Sequence, residues 1–124
     1  MKNQDKTVVV LGASDNPRRY SYKAIGLLKR QDYRVIPIHP QLKMVDDHPV
    51  TASLDEIEET VHTLALYVGP LRSKVLAESI VGLKPGRVIF NPGTESEELE
   101  RILSSNHIPF IRACTIVMLQ SVQF

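Results

Sequence analysis

A loop of small and basic residues follows the first apolar run of the chain. Residues 6–11 are largely β-branched and apolar, Gly12 and Ser14 come next, and Arg18 and Arg19 stand just before a helical pattern. Free amide groups at a helix N-terminus attract anions, and arginine pairs well with phosphate oxygens. The loop therefore predicts a phosphate-binding site, and a purely structural turn is the alternative.

This loop differs from two well-known nucleotide-binding loops. The dinucleotide fingerprint G-x-G-x-x-G requires glycine where this chain has Ser14 and Pro17, and the Gly-Lys-Ser/Thr of a Walker A loop is missing. An NAD site also uses an acidic residue after the second strand, where this chain has His39, Pro40 and Lys43. The missing acid argues against NAD and suits a ligand with a further phosphate on its ribose. The alternative is that His39 is a strand-end residue whose ring is satisfied within the protein, and that Lys43 is an ordinary surface lysine.

Two later loops combine glycine with proline. Gly69 allows a ligand to approach the backbone, while Val68 and Pro70 are suited to pack an adenine or a pantetheine-like arm. The second loop is the Asn-Pro-Gly sequence at residues 91–93, in which the Asn91 side chain is able to hydrogen-bond an amide. Both loops are predicted to follow strands, so both are candidates for ligand contact.

No set of residues indicates catalysis or a metal site. Cys114 is the single cysteine, and an inert buried cysteine is a better interpretation than a nucleophile. The four histidines lack the spacing of metal ligands. The sequence therefore leans towards a binding protein rather than an enzyme, with no metal.

Apolar strand patterns alternate with helical patterns along the whole chain. The strands are predicted at residues 6–11, 33–38, 63–68, 87–90 and 108–111, and the helices at residues 20–31, 54–59, 71–81, after Thr94, and at 115–121. Residues 41–51 are expected to be irregular, apart from a short strand at 50–51, and Gly82 is expected to end its helix. The alternation predicts an α/β fold: a Rossmann-like three-layer sandwich with a mostly parallel sheet of about five strands. The candidate loops then share the carboxyl edge of the sheet, where ligands bind in such folds.

Length, composition and charge limit the class of protein. The 124 residues are 43% hydrophobic and 23% charged, which favours one compact domain over residues 1–124 and argues against disorder. Residues 1–45 contain nine basic and three acidic residues, a charge of +6, whereas residues 46–124 contain six and eleven, a charge of −5. The excess suits a small anionic ligand, but the pI of about 7.9 is low for a nucleic-acid binder. Without a membrane-spanning run or an apolar signal-peptide core at residues 1–5, we expect no membrane contact and a cytoplasmic location.

Several short motifs, in this order, resemble the small single-domain CoA-binding proteins. They are Gly12-Ala13-Ser14, Asn16-Pro17, the second strand Tyr-Arg-Val-Ile-Pro-Ile-His-Pro at residues 33–40, and the Asn-Pro-Gly turn at residues 91–93. These proteins are similar to the N-terminal CoA-binding domain of the succinyl-CoA synthetase α subunit. The resemblance covers about residues 6–119, and the one clear departure is His39, which replaces the asparagine usual before this proline.

The resemblance implies that the chain binds coenzyme A or an acyl-CoA. In that family the first loop faces phosphate, the segment after the second strand contacts the nucleotide end of CoA, and the later loops flank the ligand. The binding residues expected here are Gly12, Ala13, Ser14, Asn16, Pro17, Arg18, His39, Pro40, Lys43, Val68, Gly69, Pro70, Asn91, Pro92 and Gly93.

The same resemblance bears on catalysis and partners. The synthetase α subunit carries a further domain with a phosphorylated histidine, and no such domain is expected in these residues. We therefore expect a sensor or accessory subunit, with a partner enzyme or a homo-oligomer as its context and no nucleic acid. An NADP-binding oxidoreductase-like domain and a protein-interaction module with a vestigial pocket are the alternatives.

Overall fold

The computed structural model describes residues 3–124, and a parallel sheet forms the centre of the fold. The strands are β1 (Thr7–Leu11), β2 (Arg34–Ile38), β3 (Met44–Val45), β4 (His48–Pro49), β5 (Thr63–Leu66), β6 (Val88–Phe90) and β7 (Phe110–Arg112). Five of them form the main sheet, and every pair in it is parallel. The predicted α/β sandwich with a parallel five-stranded sheet is confirmed. The predicted domain also includes Met1 and Lys2, which lie outside the described residues.

Helices cover both faces of this sheet. They are α1 (Tyr20–Arg30), α2 (Pro70–Val75), α3 (Ala77–Leu83), α4 (Glu97–Ser105) and α5 (Thr115–Gln120), with one turn of 3-10 helix at Leu54–Glu56. Side chains along a strand point alternately to the two faces. Val8 and Val10 of β1 therefore pack in the core beneath α1 and α5, while Val9 packs in the core beneath α3 and α4. Within the described part of the chain, no helix has the length and apolar character needed to cross a membrane.

The strand order, β2-β1-β5-β6-β7, puts β1 and β5 side by side at the middle of the sheet. The chain goes outward from β1 to β2 and then returns to the other side of β1, so the direction of winding reverses between β1 and β5. In open parallel sheets the ligand crevice lies outside the carboxyl ends of the strands at such a point. The order also leaves β2 at an edge of the sheet. Pro37 is tolerated in this strand, because the N–H that proline lacks is not needed for hydrogen bonds to a strand on the outer side.

The single helix predicted over residues 71–81 is wrong in both extent and ends. The structure has two helices, α2 and α3, and the chain departs from helical geometry between them at Leu76, where φ is −94° and ψ is 4°. Gly82 lies inside α3 rather than ending it. Lys84 ends the helix in the left-handed conformation, with φ of 51°, because the following Pro85 prevents the helix from continuing.

Three local expectations also need correction. The helix expected directly after Thr94 begins at Glu97, and Ser96 caps it: the Ser96 hydroxyl accepts from the Leu99 N–H at 3.1 Å. The irregular segment 41–51 contains the β3–β4 hairpin, and the strand predicted at 50–51 reduces to a bridge between Thr51 and Ile38. The helix predicted at 54–59 is a three-residue 3-10 helix, capped by Ser53.

A buried asparagine joins the carboxyl end of the sheet to the last helix. The Asn91 side chain donates to the Leu66 carbonyl at 3.1 Å and accepts from the Thr115 N–H at 2.8 Å, and only 2% of the residue is exposed. The Thr94 hydroxyl, also buried, donates to the Asn91 carbonyl at 2.7 Å. Parallel strands leave polar backbone groups unpaired where they end, and this network provides partners for them.

The loop after β1 passes very close to the loop after β5 at Gly12. This glycine has a φ of +95°, and a Cβ built on it would lie 2.9 Å from Val68 Cγ1 and 3.0 Å from the Tyr67 carbonyl oxygen. Both the backbone conformation and the space therefore require glycine at this position.

Replacing Asn91 with alanine should destabilise the fold. The change leaves the Leu66 carbonyl and the Thr115 N–H buried without partners, and each such group costs about 1–3 kcal/mol. Urea denaturation of Asn91→Ala should therefore show a free energy of unfolding lower by about 2–4 kcal/mol. Asn106→Ala is the matched control, because the side chain of the exposed Asn106 makes a single hydrogen bond, to the Ile102 carbonyl. Equal, small losses in the two variants would contradict the structural role of Asn91.

Two glycine-to-alanine variants should change stability in opposite directions. Gly12→Ala forces a side chain into the left-handed region and against Val68, so we expect a loss of about 2–3 kcal/mol in the free energy of unfolding. Gly82→Ala, inside α3 with nothing within 4 Å of the added Cβ, should gain about 0.5–1 kcal/mol. Urea titration of both variants tests this, and a neutral Gly12→Ala would show that the close approach is not strict.

Candidate functional site

The largest opening at the carboxyl edge of the sheet lies at the reversal between β1 and β5. It is a cavity of about 600 Å³. Its walls come from the loop after β1, the first turn of α1, the end of β2, the loop after β5, α2 and the loop after β6. The lining residues are Gly12, Ala13, Ser14, Arg18, Arg19, Tyr20, Ser21, His39, Tyr67, Val68, Gly69, Arg72, Pro92 and Thr94. We call this the larger cavity.

Backbone hydrogen bonds hold the loop after β1 at the floor of this cavity. The N–H groups of Gly12 and Ala13 both donate to the Ile38 carbonyl at the end of β2, at 3.3 and 3.1 Å. Farther along, the Ser14 hydroxyl accepts from the Asn16 N–H, and the Asn16 side chain accepts from the Arg18 N–H, each at 3.0 Å. Because Ser14 only accepts in this turn, its hydroxyl hydrogen remains available to a ligand.

The N-terminus of α1 opens towards the same cavity without a cap of its own. Its N-cap residue, Arg19, makes no side-chain hydrogen bond to the helix, and the first turn contains no acidic residue. Ser21, in that first turn, lines the cavity. The first amide groups of an α-helix have no partner within the helix and carry partial positive charge. This arrangement can therefore accommodate an anion.

Positive charge dominates the lining of the larger cavity. Arg18, Arg19 and Arg72 line it, and no carboxylate from residues 3–124 does so. None of the three arginines forms a salt bridge with another described residue. Part of the basic excess in the first third of the chain is neutralised elsewhere, since Lys29 pairs with Asp47 and Arg34 with Glu59. The three arginines at the cavity, by contrast, have no carboxylate partner among the described residues.

The ring of His39 is fixed by the loop that follows it. Its Nδ1 accepts from the N–H groups of Gln41 and Leu42, at 3.0 and 3.1 Å. A ring nitrogen that accepts carries no proton, so the neutral ring holds its proton on Nε2. The structure thus places a satisfied Nδ1 and a cavity-lining ring in one residue, and contact between His39 and a ligand stays a prediction.

Tyr67 lines the same cavity with a half-buried side chain. Burial raises the pKa of its hydroxyl to about 12, and the nearby Thr115 hydroxyl opposes this shift without reaching hydrogen-bond geometry. The phenol is therefore protonated at neutral pH and has no partner within residues 3–124.

A second, smaller cavity adjoins the first. Its volume is about 280 Å³, and it shares Gly12, His39, Val68 and Arg72 with the larger cavity. Its remaining lining residues are Leu11, Ile38, Pro40, Ala52, Ser53, Leu54, Asp55, Leu76 and Ser79. Most of these side chains are apolar, so the two cavities together join a basic compartment to an apolar one.

The structure brings together nine of the residues that the sequence predicted for ligand binding. Those that line one or both cavities are Gly12, Ala13, Ser14, Arg18, His39, Pro40, Val68, Gly69 and Pro92. Six others do not line either cavity: Asn16, Pro17, Lys43, Pro70, Asn91 and Gly93. Among these, Asn16 braces the first loop and Asn91 has both side-chain groups bonded within the fold.

Sequence reasoning missed two charged residues at these cavities. Arg72 lies in the first turn after Gly69-Pro70, and this position next to a candidate loop was a local signal. Asp55 lines the smaller cavity from the 3-10 helix, which lies far along the chain from Gly12. Nothing in its neighbourhood in the sequence marks Asp55, because the fold alone brings it beside Pro40.

Two other candidate chemistries stay apart from the cavities. In residues 3–124 no three His, Cys, Asp or Glu side chains gather as a group able to hold a metal ion. Cys114 is half-buried, precedes α5, and lines neither cavity. The two cavities are lined mainly by arginine, histidine, hydroxyl and apolar groups, with Asp55 in the smaller one.

The fold is shared with several solved structures. One is a crystal structure of an uncharacterized protein, 40% identical, with a TM-score of 0.90 over 96% of this chain and 98% of that chain. A second, from Thermus thermophilus, is 27% identical with a TM-score of 0.88, over 96% of this chain and 90% of that one.

A more distant likeness shows the fold alone. Dinucleotide forming acetyl-coenzyme A synthetase 1 of Ca. Korarchaeum cryptofilum, in complex with phosphate and ADP, is 16% identical with a TM-score of 0.74. The match covers 88% of this chain and 26% of that much longer chain. No curated protein sequence matches this chain.

The family model for a CoA binding domain matches residues 6–120, nearly the whole chain. This match confirms the resemblance to CoA-binding proteins that the motifs indicated, and it supports CoA binding in general terms. The protein belongs to the family of CoA binding domains.

Proposed function

We propose that this chain binds coenzyme A or an acyl-CoA at the carboxyl edge of its sheet, with the phosphate groups in the larger cavity. The loop from Gly12 to Arg18 and the N-terminus of α1 then hold phosphate oxygens. The observation that carries the proposal is the lining of that cavity, in which three arginines face no carboxylate from residues 3–124. A ligand with several phosphate charges neutralises such a group of cations.

The pantetheine arm is assigned to the wall formed by the loops after β5 and β6. Val68 is buried there, Pro92 is exposed at the opposite loop, and both line the larger cavity. The space beside Gly69 is open, since an added Cβ would meet nothing within 4 Å. An extended amide-containing chain can therefore lie against the backbone there. Pro70 and Gly93 support these loops from outside the cavity.

Lys43 is assigned to the phosphate on the ribose. It is exposed, lies three residues after Pro40, and forms no salt bridge with another described residue. Its long flexible side chain can reach a phosphate at the rim without lining the cavity. Arg72, which lines both cavities, is assigned to the diphosphate where the ligand passes from one cavity to the other.

The chain is proposed to act through binding, as a sensor or an accessory subunit. The larger cavity offers arginines, hydroxyls and one histidine, but no thiol or carboxylate from the described part of the chain. His39 has its Nδ1 bonded to two backbone amides, so an acid cannot orient the ring through that atom. A domain of this fold also forms about a quarter of an acetyl-coenzyme A synthetase chain, which supports a partner enzyme as its context.

Thermal unfolding with and without ligands tests CoA binding directly. CoA at 100 times its dissociation constant should add about 2.7 kcal/mol to the free energy of unfolding and raise the Tm by roughly 10 °C. NADPH, NADH and ATP at the same concentration should give clearly smaller shifts. A larger shift with NADPH than with CoA would favour an oxidoreductase-like domain, and no shift with any nucleotide would favour an interaction module.

Two substitutions should separate the roles of Arg72 and Lys43. Arg72→Ala should weaken CoA and dephospho-CoA equally, by about tenfold, because it removes a charge-assisted contact to the diphosphate that both ligands carry. Lys43→Ala should weaken CoA several-fold and leave dephospho-CoA unchanged. Isothermal titration calorimetry measures both ligands on each variant.

Arg101→Ala is the matched control, because Arg101 is exposed on α4 and lines neither cavity. It should bind both ligands as the unaltered protein does. Equal losses of CoA and dephospho-CoA in Lys43→Ala would show that Lys43 does not contact the ribose phosphate.

A further inference from the structure

The two edges of the main sheet differ in how they are protected. At one edge, the outer side of β2 is partly occupied: the Pro37 carbonyl accepts from the Thr51 N–H at 2.9 Å, and the His39 N–H donates to the Thr51 carbonyl at 3.2 Å. At the other edge, β7 contains no proline, and no segment of residues 3–124 pairs with its outer side. Proteins commonly cover an edge strand or interrupt it with proline, because an open edge pairs with other chains. The β7 edge is therefore able to accept a further strand.

The hydrogen bonds to β6 show which backbone groups of β7 face outward. The Pro109 carbonyl and the Ala113 N–H both bond to the backbone of β6, at 2.9 and 3.1 Å. Residues alternate in direction along a strand of a parallel ladder, so the N–H and C=O groups of Ile111 also face β6. Those of Phe110 and Arg112 face away from the sheet, and no other segment of the described chain forms a backbone hydrogen bond to them.

The side chains of β7 suit a contact with another strand. Ile111 is 44% exposed and lies on the face of the sheet that carries α1 and α5. Arg112 lies on the opposite face, where the Glu100 carboxylate accepts two hydrogen bonds from its guanidinium, at 2.7 and 2.9 Å. The charge of this arginine is therefore balanced within the chain and does not by itself keep a second strand away.

A second copy of this chain fits the edge in one antiparallel register. With a two-fold axis at Ile111, Phe110 of each copy lies opposite Arg112 of the other, and every outward N–H and C=O group finds a partner. The two Ile111 side chains then meet at the axis as a close, non-hydrogen-bonded pair. An axis at Phe110 would need the Ile108 N–H, which already donates to the Leu103 carbonyl at 2.9 Å. An axis at Arg112 would place two arginines directly opposite each other, which is unfavourable.

The charges beside β7 also favour this register. Arg112 of the second copy would lie opposite Phe110, whose side chain lines a surface depression of about 540 Å³ together with Glu97, Glu100 and Arg101 of α4. Carboxylates outnumber cations in this depression, and Glu97 forms no salt bridge with another described residue. An incoming guanidinium therefore meets an aromatic ring and an acceptor of opposite charge.

We propose that the edge of β7 is a self-association surface, at which two copies of this chain pair antiparallel about a two-fold axis at Ile111 and join their sheets. A second copy is favoured over an unrelated peptide because the strand is only three residues long. The symmetric pair makes the contact between Phe110 and Arg112 twice, whereas a peptide makes it once. Since the strands of the two copies run in opposite directions, their cavities open at opposite edges of the joined sheet.

Sedimentation equilibrium tests the surface in solution. The unaltered protein should have twice the 14.0 kDa mass of one chain. Ile111→Lys should be monomeric, because it places two ammonium groups opposite each other at the axis. Val75→Lys is the matched control, because Val75 is an apolar residue, 82% exposed, on α2 rather than on β7; this variant should remain dimeric. A monomeric unaltered protein, or a dimeric Ile111→Lys, would overturn the proposal.

Oxidative cross-linking tests the register without disrupting the dimer. The background is Cys114→Ser, which removes the single native cysteine. In it, Ile111→Cys should form an inter-chain disulfide under a mild oxidant, because the Cα atoms of a non-hydrogen-bonded antiparallel pair lie about 4.5 Å apart, within the span of a disulfide. Val75→Cys in the same background should give far less covalent dimer on non-reducing electrophoresis. Equal cross-linking of the two variants would reject the register. Neither experiment uses a ligand, so both outcomes are independent of the proposed CoA binding.

Discussion

The close passage of the chain at Gly12 is the constraint on which the site depends. Here the loop after β1 runs so near to Tyr67 and Val68 that a Cβ would collide with them, and the backbone adopts a φ of +95°. The Tyr67 N–H donates to the Leu11 carbonyl at 2.8 Å, and the N–H groups of Gly12 and Ala13 turn to the end of β2. These contacts join β2, β1 and β5 at their carboxyl ends, and both cavities share Gly12 and Val68 as walls.

Different segments at the carboxyl edge of the sheet stabilise the fold and provide the charged groups of the larger cavity. The Asn-Pro-Gly loop after β6 mainly serves the fold: the Asn91 side chain bonds β5 and the start of α5, and Thr94 closes the turn. The opposite loops carry the exposed arginines, whose charge is not satisfied by carboxylates within the described residues. Buried hydrogen bonds hold the loops in place beneath the exposed, unpaired arginines. The cavity is therefore formed in the absence of ligand, which lowers the entropic cost of ordering these groups on binding.

The main architecture was predictable from the sequence because the burial pattern repeats along the chain. The buried apolar runs are too short for helices, the run at residues 7–11 is rich in β-branched valine, and helical patterns separate most of the runs. Pro37, which lacks an N–H, is compatible with the edge position of β2. The break at Leu76 and the end of α3 at Lys84 were not predictable, since packing and the turn to Pro85 outweigh the weak signal of Gly82.

For the site, the sequence by itself determined the local chemistry: a glycine turn, a serine hydroxyl and arginines in one loop, whose proximity follows from covalent connection. Tertiary structure alone decided which distant residues join them. Lys43 and Asn91 had equally suitable types, yet neither lines a cavity: Lys43 is exposed, and the Asn91 side chain is bonded within the fold. Arg72 and Asp55 enter the cavities because parallel strands end at a common edge, so that separate crossover segments meet there. Such meetings depend on strand order and helix packing, which no short stretch of residues encodes.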